Sequence, residues 1–411
     1  MKKIKSILLC MAILICLSAV TSCSTGMNGS KQNEPFKNPF DEEETLCLAH
    51  SFVDDICSIC HEPFKISEGL SFTLSADSTS YMVADIGECK DTQIIIPAEH
   101  EGLPVTGIAP NAFRDEPITA VFLPEGMTLI GEWAFQSCTK LIYVDIPATV
   151  NSICMDAFRG CFRLESVTIP EGISIISSGT FQNCTSLTEI KLPETLLTIG
   201  SSAFEKCIGL QELTIPASIV EIESNAFGSC TGLKALTIPT TIPTMYAAFD
   251  GCTGLEAIHY EGSLSEWCQT EFTGGDNPLG KAHHLYVDGK LIEGQFCTPD
   301  GLTRVSASMM QGNTDITGVI IGTEVTNIGA KAFADCTNLT YAVLECSPKT
   351  IATDCFEGSG IQAIFLCDTE EEAQAYIAYI LGVLHNTGAK IYYRNEWHYD
   401  VNNMPHPNFK K

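Results

Sequence analysis

The sequence predicts a solenoid of stacked coils with a parallel β-sheet along one side. Three observations support this prediction: a period of 23 residues, an apolar motif repeated in register, and an aromatic-cysteine pair in each period. The period is marked by Pro124, Pro147, Pro170, Pro193, Pro216 and Pro239. Even spacing of this kind is typical of repeat proteins, in which each unit buries its apolar side chains against its neighbours.

Each unit is predicted to contain one short strand. The motif Leu141-x-x-Val144-x-Ile146-Pro147 recurs in the following units, and its alternation indicates a strand with one buried face. The proline ends the strand because it lacks the N–H that a parallel ladder requires. The aromatic and cysteine positions are Phe135 and Cys138, Phe158 and Cys161, Phe181 and Cys184, Phe204 and Cys207, and Phe227 and Cys230. Counted by the aromatic position, from Phe113 to Phe356, the chain contains ten coils.

Side chains between the apolar positions of these strands should point out of the sheet, because successive residues of a strand face opposite sides. We expect this outward row to be the ligand-binding face. It comprises Tyr143, Asp145, Ser166, Thr168, Glu189, Lys191, Glu212, Thr214, Thr237 and His259. The row is short of aromatic residues and lacks arginine, which are frequent hot-spot residues of interfaces.

The repeat resembles the 23-residue leucine-rich repeat of BspA-like, Treponema-type bacterial surface proteins. Its Ala-Phe pair stands at residues 134–135, 157–158, 203–204, 226–227 and 332–333, and Thr180-Phe181 departs from it. The resemblance covers roughly residues 70–395. It implies a right-handed leucine-rich-repeat solenoid on a bacterial cell surface, with a role in adhesion or protein binding and without catalytic residues.

The N-terminal residues 1–22 are predicted to be a signal peptide. Basic residues precede an apolar stretch that is too short to span a membrane as a mature helix. Val20-Thr21-Ser22-Cys23 then resembles a bacterial lipobox, with Cys23 as the lipidated residue. An ordinary secretory signal cut nearby is the alternative. Residues 23–46 are polar and are predicted to form a flexible tether.

Residues 47–69 contain a compact group of thiol and imidazole donors. Cys47, His50, Cys57 and Cys60 could supply the four N/S ligands of a tetrahedral structural zinc. Similar Cys/His knuckles precede the repeats of some gut bacterial surface proteins. A disulfide among Cys47, Cys57 and Cys60, or reduced cysteines, would explain the same residues. No other cofactor is expected.

The solenoid is predicted over residues 70–367, with an insertion at about 261–285. Leu264 to Phe272 could form a short helix capped by Ser263, and residues 285–291 read as a hairpin about Asp288-Gly289. Two interpretations of the insertion remain open. It could project as a binding feature, or its Trp267 could pack down as part of a local excursion.

Beyond the repeats, residues 368–395 are predicted to cap the stack. Asp368 and the acids after it indicate the start of a helix, whose apolar stripe from Ala373 to Leu384 would cover the last coil. Asn386-Thr387-Gly388 would end it. Residues 396–411 are predicted to be a loose tail.

The chain contains 20 cysteines, which in an exported protein would suggest a disulfide framework. Seven of them recur at one place in the coil: Cys138, Cys161, Cys184, Cys207, Cys230, Cys252 and Cys336. A residue that recurs in register is used for its size and apolarity, so we expect reduced packing cysteines. Outside this ladder the sequence favours Cys346 and Cys367 as a bonded pair.

The composition limits the possible functions. A net charge of −27 argues against nucleic-acid partners and against adhesion to anionic lipid. No Gly-x-Ser-x-Gly, Walker loop or His-Glu-x-x-His motif is present, so no enzyme is predicted. We expect a lipid-anchored surface protein, monomeric, that binds protein or glycan on host or bacterial surfaces. A scaffold of the cell envelope without a discrete ligand site and an accessory module of a surface enzyme are the alternatives.

The zinc hypothesis predicts one zinc ion per chain in the purified, reduced protein. Replacing Cys60 by serine removes one thiolate ligand, and we expect that variant to lose the metal. Elemental analysis of the folded protein checks both results. Absence of stoichiometric zinc from a reduced and correctly folded sample would rule the site out.

Overall fold

The fold was analysed in a computed structural model that describes residues 52–53, 56–57, 65–241, 244–270, 272 and 277–408. The chain divides into two units, Met1–Glu62 and Pro63–Lys411. In the first unit, strands Phe52–Val53 and Ile56–Cys57 pair antiparallel. The second unit contains the repeats and forms a parallel β-solenoid of about 13 turns, as the sequence predicted.

One row of strands, here called the front row, runs along the solenoid. Its members are Gln93–Ile95, Ala120–Phe122, Tyr143–Asp145, Ser166–Thr168, Glu189–Lys191, Glu212–Thr214, Ala235–Ile238, Ala257–Tyr260, His284–Val287, Gly294–Cys297, Ile316–Ile321, Tyr341–Leu344, Ala363–Leu366 and Lys390–Tyr392. The count exceeds the ten coils expected because strands without the aromatic position extend both ends and the insertion adds its own.

A second row, the back row, lies on the other side of the core. It consists of Tyr81–Asp85, Leu103–Ile108, Leu129–Ile130, Ser152–Ile153, Ile175–Ile176, Thr198–Ile199, Glu221–Ile222, Thr244–Met245, Arg304–Val305, Asn327–Ile328 and Thr350–Ile351. Short strands Ser71–Leu74 and Glu99–His100 pair antiparallel with its first two members. The sequence analysis predicted only one strand in each coil, and these two-residue pairings are too short to leave a periodic signal.

Adjacent coils pair in strict register. Ser166 lies opposite Glu189 and Val167 opposite Ile190, which is one period of 23 residues. The central residue of each front strand points inward and is buried, whereas its two neighbours point outward. Pro147 follows its strand and its carbonyl accepts the amide of Val150 at 3.1 Å, so the proline also begins the turn.

The aromatic residues form a continuous stack through the core. Rings from Phe113 to Phe249 follow one another at centroid distances of 5.1 to 5.5 Å and are nearly parallel. The residue before each ring is small because its carbonyl accepts the amide of the preceding coil's phenylalanine, as from Phe135 to Ala157 at 2.8 Å. Thr180, the exception, is fully buried and its hydroxyl donates to the carbonyl of Ser177.

The cysteine ladder has a second role that the sequence analysis did not identify. Each thiol donates to the carbonyl of the aromatic-position residue one coil earlier, as from Cys138 to Phe113 at 2.9 Å and from Cys336 to Met310 at 3.0 Å. All seven are buried and unbonded, and burial raises the pKa of Cys138 and Cys207 to about 12. The thiol therefore satisfies a buried carbonyl while filling a small apolar space. Cys346 and Cys367, expected to bond, are also free cysteines.

The insertion packs down onto the solenoid. Helix α1 (Leu264–Gln269) begins at Ser263, whose hydroxyl and the Glu266 carboxylate form a capping box. Trp267 is fully buried and its indole donates to the carbonyl of Met309 at 3.0 Å. Helix α2 (Leu279–Ala282) follows. The hairpin His284–Val287 and Lys290–Leu291 turns at Asp288-Gly289 as predicted, with both residues in the left-handed region.

The C-terminal segment supplies the last crossover of the solenoid. A 3₁₀ turn (Glu372–Ala375) leads into helix α3 (Ile377–Thr387), and strand Lys390–Tyr392 then pairs parallel with Ala363–Leu366. The cap is Thr369, whose hydroxyl accepts from Glu372, rather than Asp368. Asp368 instead accepts hydrogen bonds from Tyr376 and Ser347. The inward residues of this segment are Ala373, Tyr376, Ile380 and Val383, whereas Leu381 is exposed.

The prediction of a loose tail is wrong for the described residues 396–408. A 3₁₀ turn (Arg394–Glu396) leads into an antiparallel hairpin, here called the C-terminal hairpin, of Trp397–Tyr399 and Pro405–Pro407. It covers the outer face of the last front strands, where Trp397 packs on Phe365 and its indole donates to the carbonyl of Leu366 at 2.9 Å. The signal lay in the strands, whose apolar runs around Ile320, Val343 and Phe365 indicate burial on both faces.

Replacing Trp397 by alanine should detach the C-terminal hairpin, because the residue is 8% exposed and anchors the apolar cluster. Truncation of a buried tryptophan typically costs about 3–5 kcal/mol. We expect faster amide hydrogen exchange in residues 316–321 and 363–366. Val401→Ala, at a side chain that is 99% exposed, is the control and should leave exchange unchanged. Equal exchange in both variants would mean that the hairpin does not protect these strands.

Candidate binding face

All ten residues predicted for the ligand face lie on the outer side of the front row. Seven of them, from Asp145 to Thr214, are exposed, and Tyr143, Thr237 and His259 are half-buried. Together they form one surface, here called the exposed face, from strand Tyr143–Asp145 to strand Ala257–Tyr260. Parallel pairing at one period brings residues 23 positions apart side by side, as with Thr168 and Lys191. The exposed face differs from the apolar outer face that the C-terminal hairpin covers.

A groove of about 520 Å³ lies in the exposed face between strands Glu189–Lys191 and Glu212–Thr214. Within the described ranges these two neighbouring strands are not joined by a hydrogen-bonded ladder, unlike most pairs in the front row. Inward-facing Ile190 and Leu192 therefore contribute to its wall. Four predicted residues line it: Glu189, Lys191, Glu212 and Thr214.

The end of the exposed face nearest the N-terminus is aromatic and crowded. The rings of Phe122 and Tyr143 lie 6.0 Å apart. Partial burial, reinforced by the Asp145 carboxylate, raises the pKa of Tyr143 to about 12. Partial burial, reinforced by Glu125, also raises the pKa of Asp145. Tyr143 is therefore a neutral phenol at neutral pH and can donate a hydrogen bond.

The repeat matches a known family. Residues 106–234, 151–277 and 294–379 match the BspA type leucine rich repeat region (6 copies), and together they cover more than half of the chain. The chain belongs to the BspA-type leucine-rich repeat family. No curated protein matches it.

Solved structures of similar fold include a leucine rich cell surface protein from Faecalibacterium prausnitzii A2-165, with 21% identity and a TM-score of 0.45 over 80% of this chain and 94% of that one. The leucine rich repeat protein of T. pallidum has 20% identity and a TM-score of 0.34 over 67% and 90%. The pneumococcal vaccine antigen PcpA has 16% identity and a TM-score of 0.34 over 79% and 83%. These are resemblances, and the family assignment rests on the repeat itself.

In this BspA-type chain two residues of the face escaped the sequence analysis. Phe122 occupies the same register position as Asp145, one coil earlier. Tyr286 lies opposite His259, with ring centroids 4.7 Å apart, although the two are 27 residues apart in the sequence. Phe122 could have been found from the 23-residue period, whereas the insertion shifts Tyr286 out of it.

The described residues of this BspA-type protein contain no group of three or more His, Cys, Asp or Glu side chains suited to a metal ion. His283 and His284, whose metal reading the sequence analysis discounted, contact the Gly312 carbonyl and the Asp315 carboxylate separately. Cys23, Cys47, His50 and Cys60, and the side chain of Cys57, lie outside the described residues. Every helix within the described ranges is too short or too polar to cross a lipid bilayer.

Proposed function

We propose that this protein is a non-enzymatic binding protein of the bacterial cell surface that presents its exposed face to a protein or glycan of host or bacterial origin. One observation carries the proposal. The outer sides of the front strands are polar and open from Tyr143 to His259, whereas the C-terminal hairpin covers the apolar outer sides farther along. Because solvent-exposed positions are free of the core's constraints, this surface can vary without loss of the fold.

The interior leaves little room for another site. In the coils that bear the exposed face, the inner positions are occupied by the aromatic stack, the cysteine ladder and the strand leucines, all of them buried. An extended concave or flat surface of a solenoid is the usual binding surface of repeat proteins. The acidic composition favours partners with basic patches and disfavours nucleic acid.

Attachment to the membrane is proposed to occur through a lipid on Cys23, within the lipobox-like Val20-Thr21-Ser22-Cys23. We expect Cys23→Ala to move the protein from the membrane fraction to the soluble fraction of expressing cells. Cys16→Ala, inside the predicted signal, is the matched control and should remain in the membrane fraction. Equal membrane attachment of both variants would contradict lipidation at Cys23.

The binding role is tested with fluorescent lipid-free protein on cultured epithelial cells and on bacterial cells. We expect alanine replacement of Tyr143, Glu189 and Lys191 together to weaken cell binding by about tenfold or more, since a few central residues usually dominate an interface. The control replaces Ile175, Glu221 and Lys349, which lie outside the exposed face, with alanine. Undiminished binding of the first variant to cells that bind the wild type would overturn the proposal and favour a scaffold role.

A further inference from the structure

The groove between Glu189–Lys191 and Glu212–Thr214 has an unusual combination of wall and rim. Its wall includes the apolar side chains of Ile190, Leu192 and Pro216. Its polar lining contains three carboxylates, from Glu189, Glu194 and Glu212, against the single ammonium of Lys191. Three negative charges and one positive charge surround an apolar surface, which is a poor site for an anion or for an uncharged apolar group.

These charges are available to a ligand. In the part of the chain that the structure describes, none of the three carboxylates forms an ion pair within 4.0 Å, and neither does Lys191. All four side chains are exposed at the surface. The interrupted ladder keeps the two strands apart, so the apolar wall is accessible beneath the carboxylates.

We infer that this groove binds the lysine or arginine side chains of a basic peptide segment. Lysine and arginine combine an aliphatic stem with a cationic head, and they bury the stem along apolar surface while the head stays near water. Here the stem would lie against Ile190 and Leu192, and the head would meet Glu189 and Glu212. The inference rests on the proposed function and names its partner as a protein with a basic segment rather than a glycan.

Lys191 gives the inference a sign. Its ammonium repels a cationic ligand and would attract an anionic one. Removal of Lys191 should therefore strengthen binding of a basic peptide, whereas it would weaken binding of an acidic protein or an acidic glycan. Because exposed ion pairs contribute only modestly, the expected changes are about threefold for one charge and about fivefold to tenfold for two.

The probe is a fluorescein-labelled nine-residue peptide in which lysine alternates with alanine, and the readout is fluorescence anisotropy at physiological salt. Its comparison peptide carries acetyl-lysine, which retains the stem and loses the charge. The groove variant is Glu189→Gln with Glu212→Gln. The matched control, Glu221→Gln with Glu324→Gln, removes the same total charge at exposed or half-buried positions elsewhere. All substitutions lie at the surface, and circular dichroism verifies the fold.

We expect the groove variant to bind the lysine peptide about fivefold to tenfold more weakly than the wild type and the control variant to stay within about twofold. Lys191→Ala should bind about threefold more tightly, and the acetylated peptide should bind only weakly. Zero-length carbodiimide cross-linking should join the peptide to Glu189 or Glu212. Equal weakening in the groove and control variants would show that net charge alone attracts the peptide and would overturn the inference. Weaker binding after Lys191→Ala would also overturn it.

The cell-binding experiment separates this inference from the proposed function. Loss of cell binding in the exposed-face variant, together with unchanged peptide binding in the groove variant, would sink the groove inference while the proposed function stands. The opposite pattern would establish the groove's preference for basic segments and place the cellular partner elsewhere.

Discussion

The structure depends on one constraint, which is that a coil of 23 residues cannot complete its own hydrogen bonds or bury its own apolar side chains. Both needs are met by the next coil. The amide of Phe158 donates to the carbonyl of Thr180, and the carbonyl of Phe158 accepts from the thiol of Cys184. The period must therefore stay constant wherever coils are adjacent, because a slip of one residue would break the bonds and turn the buried residues outward.

This constraint separates the inner residues from the outer ones. The inner positions are fixed by the stacked rings, the thiols and the leucines, whereas the outer positions of the same strands face no neighbour within the stack. Evolution can fill them with polar side chains, as at Glu189 and Lys191, or with apolar ones, as at Val343 and Phe365. The second choice requires a cover, and the C-terminal hairpin provides it.

The groove arises where the ladder between two front strands is interrupted. Continuous pairing would bring Glu189–Lys191 and Glu212–Thr214 together and hide Ile190, so the missing bonds create both the opening and its apolar wall. The Glu189 and Glu212 carboxylates are carried on these two strands. The proposed selection of basic segments thus depends on backbone geometry as much as on side-chain identity.

The sequence by itself determined the repeat, the front strands, the buried positions and the ten outward residues, because a fixed period repeats each local environment many times. It also predicted helix α1 and the turn at Asp288-Gly289 from local capping and turn chemistry. Only the tertiary structure decided the fate of residues that act once. Trp267 was found to pack inward, residues 396–408 to cover the last strands, Tyr286 to join His259, and one strand pair to open into a groove. These outcomes depend on contacts between residues distant in sequence, and such contacts have no period from which they could be predicted.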